Sequence, residues 1–327
     1  MMRRRQFLLL ALSAGAFAAP FGSFAQQSPK VWRVGFLVAG AARESFHGEF
    51  TRAMSELGYV EGRNLTIEWR LAEGKYERLP ALATALVNRK PDVLVTDSTP
   101  GTKAAQRATT TIPIVMGTVG DPVGTGIVAT LARPGGNITG LSLATTDTST
   151  KWLELAKIVT PSLFRVAVLG NPNNPTHTIH LRNVRSAGQA AGINVLPLDA
   201  ASPAEIEPAF ETMSREGVNG LIVLPDPFMT NQRQQIAQLA LKHRLPSITT
   251  SRIYAEAGAL ISYGQDYAAY FRRAATYVGK IFKGAKPSEL PIEQPNIFEL
   301  IVNRKTANAL GLTIPNALLL RADQVIE

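Results

Sequence analysis

Four histidines, one serine in a Gly-x-Ser setting and a run of glycines around a single carboxylate are the residues of this chain whose types could do chemistry. His177 and His180 stand three apart at the start of a helical stretch, where two neutral imidazoles could share a metal. No Asp, Glu or Cys lies nearby in sequence to complete such a site, so the pair reads as two polar residues. Gly140-Leu141-Ser142-Leu143-Ala144 approaches the nucleophile elbow but ends in Ala, and nothing downstream singles out a recognisable acid-then-histidine order. Gly120, Gly124 and Gly126 meet neither the Walker spacing nor the dinucleotide fingerprint. Cysteine is absent, which removes thiolate catalysis, disulfides and cysteine-ligated metals together. Catalysis is not indicated, and no metal or cofactor is expected.

What does recur is a hydrogen-bonding loop after each apolar run. Asp97-Ser98-Thr99, Gly117-Thr118, Asn171 with Asn173 and Asn174, and Asp226 with Phe228 all occupy such positions. Hydroxyls and bare backbone N–H groups suit a ligand carboxylate, whereas Asp121 or Asp226 suits an ammonium group. Phe46, Phe228 and Tyr263 could wall an apolar or aromatic body. Asp121 fits equally as the cap of the short helical turn that follows it.

The central stretch, 111–140, is where these features are densest. Ile112–Met116 has the apolar run of a buried parallel strand, and Gly117 to Pro122 reads as the loop at its carboxyl end. In open α/β sheets that edge is where ligands bind. Strand and helix alternate on either side of it. The expected strands are 31–38, 65–69, 93–95 and 112–116, with helices over 45–57, 76–88 and 103–108. The pattern restarts with a helix over 151–159. Strands over 165–169, 194–198, 220–224, 247–249, 259–262 and 298–302 follow, with helices over 176–191, 203–215, 231–243 and 267–283. Alternation of this kind predicts parallel sheets covered on both faces, and two such halves imply a cleft between their loop edges.

A length of 327 residues with 45% apolar content accommodates two such lobes. The amino terminus reads as an export signal: Arg3-Arg4-Arg5, then thirteen uncharged residues from Phe7 to Ala19, then Ser23-Phe24-Ala25 as a small-x-small cleavage site. Arg4-Arg5-Gln6-Phe7-Leu8 also fits the twin-arginine pattern. The apolar run is too short for a comfortable membrane span, and no cysteine follows it for lipid attachment. Cleavage near Ala25 would leave an exported, soluble chain. The formal net charge is +9, three of it from the signal's arginines. The remaining basic residues are spread out, without the aromatic-interleaved clusters of nucleic-acid binders, so no nucleic-acid partner is expected.

Several strings in fixed order carry a resemblance: YVEGRNLTIEWR (59–70), YERLPALA (76–83), TTIPIV (110–115), DPVGTG (121–126), RPGGNITG (133–140), NPNNP (171–175), DPF (226–228), EAGALISYG (256–264), GKIFKGAKPSELPI (279–292) and RADQVIE (321–327). Over residues 30–327 the chain resembles the periplasmic substrate-binding components of ABC transporters, in the group that includes tryptophan- and tyrosine-binding proteins. The resemblance implies a type I periplasmic-binding-protein fold: two doubly wound α/β lobes joined by three crossings, near Leu143, Tyr263 and Pro295. The N-lobe would take 30–143 plus about 264–294, and the C-lobe 144–263 plus about 295–327. It implies a monomeric, non-enzymatic receptor that closes on a small polar ligand, with an amino acid as one candidate, and delivers it to a membrane permease. Similarity to amino-acid-binding members gives Ser98, Thr99 and Thr118 to an α-carboxylate and Asp226, with Asp121, to the amine. Asn171 and Asn174 would add contacts from the C-lobe, and Ser45 and Phe46 would line the side-chain end. A sensor for a signalling partner and an exported hydrolase using Ser142 are the competing readings.

Overall fold

The computed structural model describes residues 30–41, 45–143 and 145–327, with the side chains of Ser45 and of residues 145–147 outside that description. The expected signal peptide, 1–25, therefore lies outside the described residues. Two sheets organise the remainder. The first takes β1 (Trp32–Val38), β2 (Leu65–Leu71), β3 (Val93–Thr96), β4 (Ile114–Gly120) and β5 (Ile138–Leu143), all parallel, in the order β2-β1-β3-β4-β5. Between these strands run α1 (Ser45–Glu56), α2 (Leu79–Asn88) and α3 (Thr99–Ala108). Nearly continuous burial of β3, β4 and β5 is what a parallel sheet covered on both faces requires.

The second half continues with α4 (Thr145–Val159), β6 (Arg165–Gly170), α5 (His177–Ala191), β7 (Asn194–Asp199), α6 (Pro203–Arg215) and β8 (Gly220–Val223). Next come α7 (Pro227–Asn231), α8 (Arg233–Lys242), β9 (Ser247–Thr249), α9 (Arg252–Glu256), β10 (Ile261–Gln265) and α10 (Tyr267–Phe282). The chain ends with β11 (Phe298–Asn303), α11 (Arg304–Leu310), α12 (Asn316–Leu319) and β12 (Gln324–Ile326). The second sheet has the order β12-β11-β10-β9-β8-β6-β7, with β11 antiparallel to β10. Among the described residues no helix is long and apolar enough to cross a membrane.

The chain passes between the lobes three times. After β5 it leaves for α4; after β10 it returns as α10, which packs on α1 and β4 of the first lobe; and after residue 295 it crosses again into β11. The returning segment is fastened to the first lobe at several points. Arg273 holds Glu293 by two 2.7 Å bonds, and the Tyr277 and Tyr270 hydroxyls donate to the carbonyls of Pro291 and Pro295 at 2.6 and 2.9 Å. Glu293 also pairs through its backbone with β5, donating to Gly140 O and accepting from Ser142 N.

Several elements differ from the sequence expectation, and for three of them the reason is local. β4 does not stop at Met116 but runs to Gly120, with its register against β5 interrupted between Met116 and Val119. Gly117 is tolerated there because a side chain would collide with Phe271, 2.6 Å from an ideal Cβ, and the irregularity re-aims the next residues as bulges do. α3 starts at Thr99, four residues early, because Ser98 caps it by accepting from Gly101 N at 3.2 Å and Pro100 suits a first turn. Residues 226–230, expected as loop ahead of a helix starting at Asn231, cap and form most of the short helix α7.

Gly140 is the tightest backbone contact of the first sheet. Its φ is +124°, and an ideal Cβ there would lie 2.4 Å from the carbonyl oxygen of Met116. Gly140→Ala is expected to destabilise by about 3 kcal/mol, combining the conformational penalty with a clash against backbone that cannot move aside. A thermal melt would show this as a loss of several degrees.

Candidate functional site

The carboxyl ends of both sheets face one cavity with about 650 Å³ of free space, part of it open to solvent. From the first lobe it is lined by Gly40, Phe46, Asp97, Ser98, Thr99, Thr118 and Gly120; Leu143 and Tyr267 stand at the crossings. From the second lobe come Asn174, Thr176, His180, Asp226, Thr230 and Asn231. Ligand sites at this edge follow from the topology, since each parallel strand delivers its following loop there.

On the first lobe the polar groups are cross-braced. Thr118 Oγ1 donates to the carbonyl of Asp97 at 2.6 Å, and Thr99 Oγ1 accepts from Gly120 N at 3.1 Å. Asp97 accepts from Ala39 N at 3.0 Å, and its other oxygen lies 3.5 Å from His47 Nε2. The start of α3 adds the positive end of a helix; Pro100 has no N–H and those of Gly101 and Thr102 are taken by Ser98, so the Thr99 N–H is the donor left at this end. Phe46 supplies an apolar wall, edge-on to Tyr267 and stacked on Phe271, both at 5.5 Å between ring centres.

On the second lobe Asp226 is the centre. It is 5% exposed, and no basic side chain is paired with it among the described residues. Four donors hold it instead: Tyr76 Oη at 2.6 Å and Asn174 Nδ2 at 2.9 Å on one oxygen, Met229 N at 3.1 Å and Asn171 Nδ2 at 3.4 Å on the other. Burial pushes its carboxyl above the ordinary Asp value, and the four hydrogen bonds pull the other way without cancelling that. Burial, with the Asp226 charge beside it, pushes the Tyr76 phenol well above its usual range. His180 is neutral: burial and the neighbouring His177 push it down to about 3.

The structure brings Phe46, Ser98, Thr99, Thr118, Asn174 and Asp226 to one cavity. Asn171 sits behind the wall, on Asp226. Asp121 does not line the cavity; with φ of +37° it turns back and accepts from Gly124 N at 2.8 Å, the capping alternative. Phe228 is buried in the second lobe's core, and Tyr263 stacks on Phe298 at 5.5 Å between ring centres; neither lines the cavity. Ser45 belongs to α1, but its side chain lies outside the described residues. The sequence reading missed Tyr76, Asp97 as an acid facing the cavity, His180, Thr230, Asn231 and Tyr267. Asp97 had the same strand-end signal as Ser98, whereas Tyr76 and Tyr267 begin helical turns and carry none.

Ser142, the hydrolase candidate, is fully buried in β5, donating to Leu143 O at 3.3 Å and accepting from Gln294 at 3.2 Å. The histidines take other partners: His180 bonds Ser149, His243 bonds Ser214, and His177 faces Asp199. His177 and His180 thus do not act as a pair.

Comparison with known proteins agrees with this architecture. The family described as ABC transporter substrate binding protein matches residues 33–326. A tyrosine-binding protein of Clostridioides difficile (strain R20291) is 27% identical over 264 residues, covering 80% of this chain and 75% of that protein. A conserved domain protein of Vibrio cholerae superposes with a TM-score of 0.85 at 28% identity, over 90% of this chain and all of that one. An ABC domain from Streptococcus pneumonia, in complex with L-Trp, superposes with a TM-score of 0.83 at 23% identity, over 91% of this chain and all of that one. That last likeness is one of fold.

The raised Asp226 carboxyl fixes the sign of one pH dependence. Between the unfolded value of 3.8 and its higher folded value the native state holds the extra proton, so stability falls as pH rises through that interval. Asp226→Asn cannot titrate and sets an amide donor against two of the four donors, so the wild type's advantage over it in the ligand-free melt is expected to grow from about pH 7 toward about pH 4. Melting curves across that range check it; an advantage that shrinks on acidification would contradict the assignment.

Proposed function

Since the chain belongs to the ABC transporter substrate-binding protein family, whose members bind solutes without transforming them, we propose that it is the periplasmic receptor of an ABC importer and captures an amino acid with an aromatic side chain between its lobes. The observation that carries this reading is the lining of the interlobe cavity, which combines a carboxylate from each lobe, Asp97 and Asp226, with the rings of Phe46 and Tyr267. Asp226 and Asp97 suit an ammonium group. The Ser98 and Thr99 hydroxyls and the Thr99 N–H at the start of α3 suit the α-carboxylate, and Asn174 and Thr118 add polar contacts beside them. The Phe46–Tyr267 pair suits an aromatic ring by edge and face contacts.

The named ligands of the relatives support the same class, one being a tyrosine-binding protein and another a structure with L-Trp. The export signal read in residues 1–25 supports delivery to the periplasm. A monomer that closes on its ligand and docks on an inner-membrane permease is the form this function takes.

The test is a thermal-shift and calorimetric panel on residues 26–327. An aromatic amino acid at about 100 times its dissociation constant is expected to stabilise by about 2.7 kcal/mol, while sugars and nucleosides leave the melt unchanged. Phe46→Ala should weaken that binding about tenfold or more, the cost of losing part of a buried aromatic wall. Binding of a solute without an amino group, with every amino acid inert, would reject the assignment of ligand class.

A further inference from the structure

Tyr76 is absent from the cavity wall, yet it touches the most buried acid in the cavity from the opposite lobe. It opens a single 3-10 turn, Tyr76–Arg78, ahead of α2. Its ring packs against two cores at once: that of the first lobe around Leu79 and Ala83, and that of the second around Phe228 and Met229. Its hydroxyl reaches Asp226 at 2.6 Å, 150 residues away in sequence.

The surrounding backbone makes a seat for α7. Ala72, Glu73 and Gly74 donate to the carbonyls of Val38, Gly40 and Ala39 at 2.8 to 2.9 Å, which joins the ends of β1 and β2 into one platform. Asp226 caps α7 at its start and meets Tyr76 there. Asn231 ends it and accepts from Ala41 N at 2.9 Å. Between these contacts lies Gly74, at φ of +78°, where an ideal Cβ would stand 2.8 Å from Asn231 Nδ2 and 3.6 Å from the Phe228 Cα. The helix that carries the acid is thus held by the other lobe at both of its ends.

We infer that Tyr76 is a positioning residue of the binding site, a latch that ties lobe closure to the state of Asp226. The inference rests on the cavity being the ligand site. A carboxylate offers about four acceptor directions, and with the lobes together Tyr76 fills one of those on the oxygen it shares with Asn174. Parting the lobes removes that donor and returns the acid to water. A ligand amine at Asp226 and the Tyr76 hydroxyl therefore favour the same arrangement: each lowers the cost of keeping this carboxylate ionised and enclosed, and so each strengthens the other.

The chain contains no cysteine, so one cysteine on each lobe, Arg107→Cys on α3 and Glu211→Cys on α6, labels it uniquely for interlobe distance measurement. Tyr76→Phe keeps the ring and removes only the hydroxyl. It is expected to move the ligand-free distance distribution about tenfold toward the wider form, as loss of a bond to a charged acceptor does. Tyrosine should also be released about tenfold faster. Gly74→Ala, a wedge in the same seat, should shift the distribution the same way without touching the hydroxyl. Circular dichroism confirms that each variant is folded. Unchanged distances and unchanged release in both variants would overturn the latch while leaving wild-type ligand binding intact. A wild-type protein inert to every amino acid, whose ligand-free lobes still part on Tyr76→Phe, would support the latch and remove only the ligand assignment.

Discussion

A carboxylate enclosed by protein without a cation has to be held by neutral donors, and much of this cleft is arranged to meet that requirement at Asp226. β6 and β8 are hydrogen-bonded neighbours, so the turn after β6, with Asn171 and Asn174, lands beside the turn after β8, where Asp226 begins α7. Two amides, a helix N–H and a phenol then share the two oxygens. Three of these donors belong to the acid's own lobe and are present whatever the other lobe does. The fourth crosses the cleft. Even with all four the carboxyl stays above its ordinary value, which shows that desolvation outweighs the hydrogen bonds and that further positive charge at this point would be stabilising.

The first lobe solves a similar problem differently. β3 and β4 are neighbours, so Asp97 and Thr118 also meet at one sheet edge, but here the polar groups brace one another. Thr118 gives its proton to the Asp97 carbonyl, Thr99 takes the Gly120 N–H, and Asp97 takes the N–H of Ala39. The orientation of each hydroxyl is therefore set before anything else arrives. That is the useful form of a binding wall, because groups that must be reoriented consume binding energy and groups already fixed do not.

Much of this was legible in the sequence, and the failures have physical causes. The apolar runs of β1, β3 and β6, buried on both faces, identify a parallel sheet directly, and alternation with helices gives the two-lobe class. Residues that immediately follow a strand, Ser98, Thr99, Asn174 and Asp226, could be placed in the cleft because topology leaves them little choice. The reading failed where glycine and small polar residues were taken as punctuation. Gly117 and Thr118 lie inside β4 because a neighbouring ring occupies the space of the missing Cβ, and Ser98-Thr99-Pro100 is a helix cap and first turn rather than a loop. Phe228 and Tyr263 were placed by their neighbours in sequence, but the helix start at Pro227 turns Phe228 into the core, and Tyr263 stacks on the adjacent strand. Tyr76 and Tyr267 reach the site across tertiary distances that no local pattern encodes.

The three crossings explain why two separately braced walls can still act together. The segment between α10 and β11 is bound to β5 through the backbone of Glu293 and to α10 through Tyr270 and Tyr277, so up to residue 295 it is tied to the first sheet and to the helix packed on it. Bending is left to the few residues that join β5 to α4, β10 to α10, and residue 295 to β11. Such short joints permit rotation of rigid bodies but little internal deformation. In the proposed closure each wall would keep its own geometry while the distance between them changes, and the contacts that sense this distance would be those made from one lobe to the other. In this chain they gather on α7, whose cap is the buried acid. If ligand binds as proposed, affinity and closure would depend on the same carboxylate, because Asp226 caps a helix that the first lobe holds through Tyr76 and Ala41.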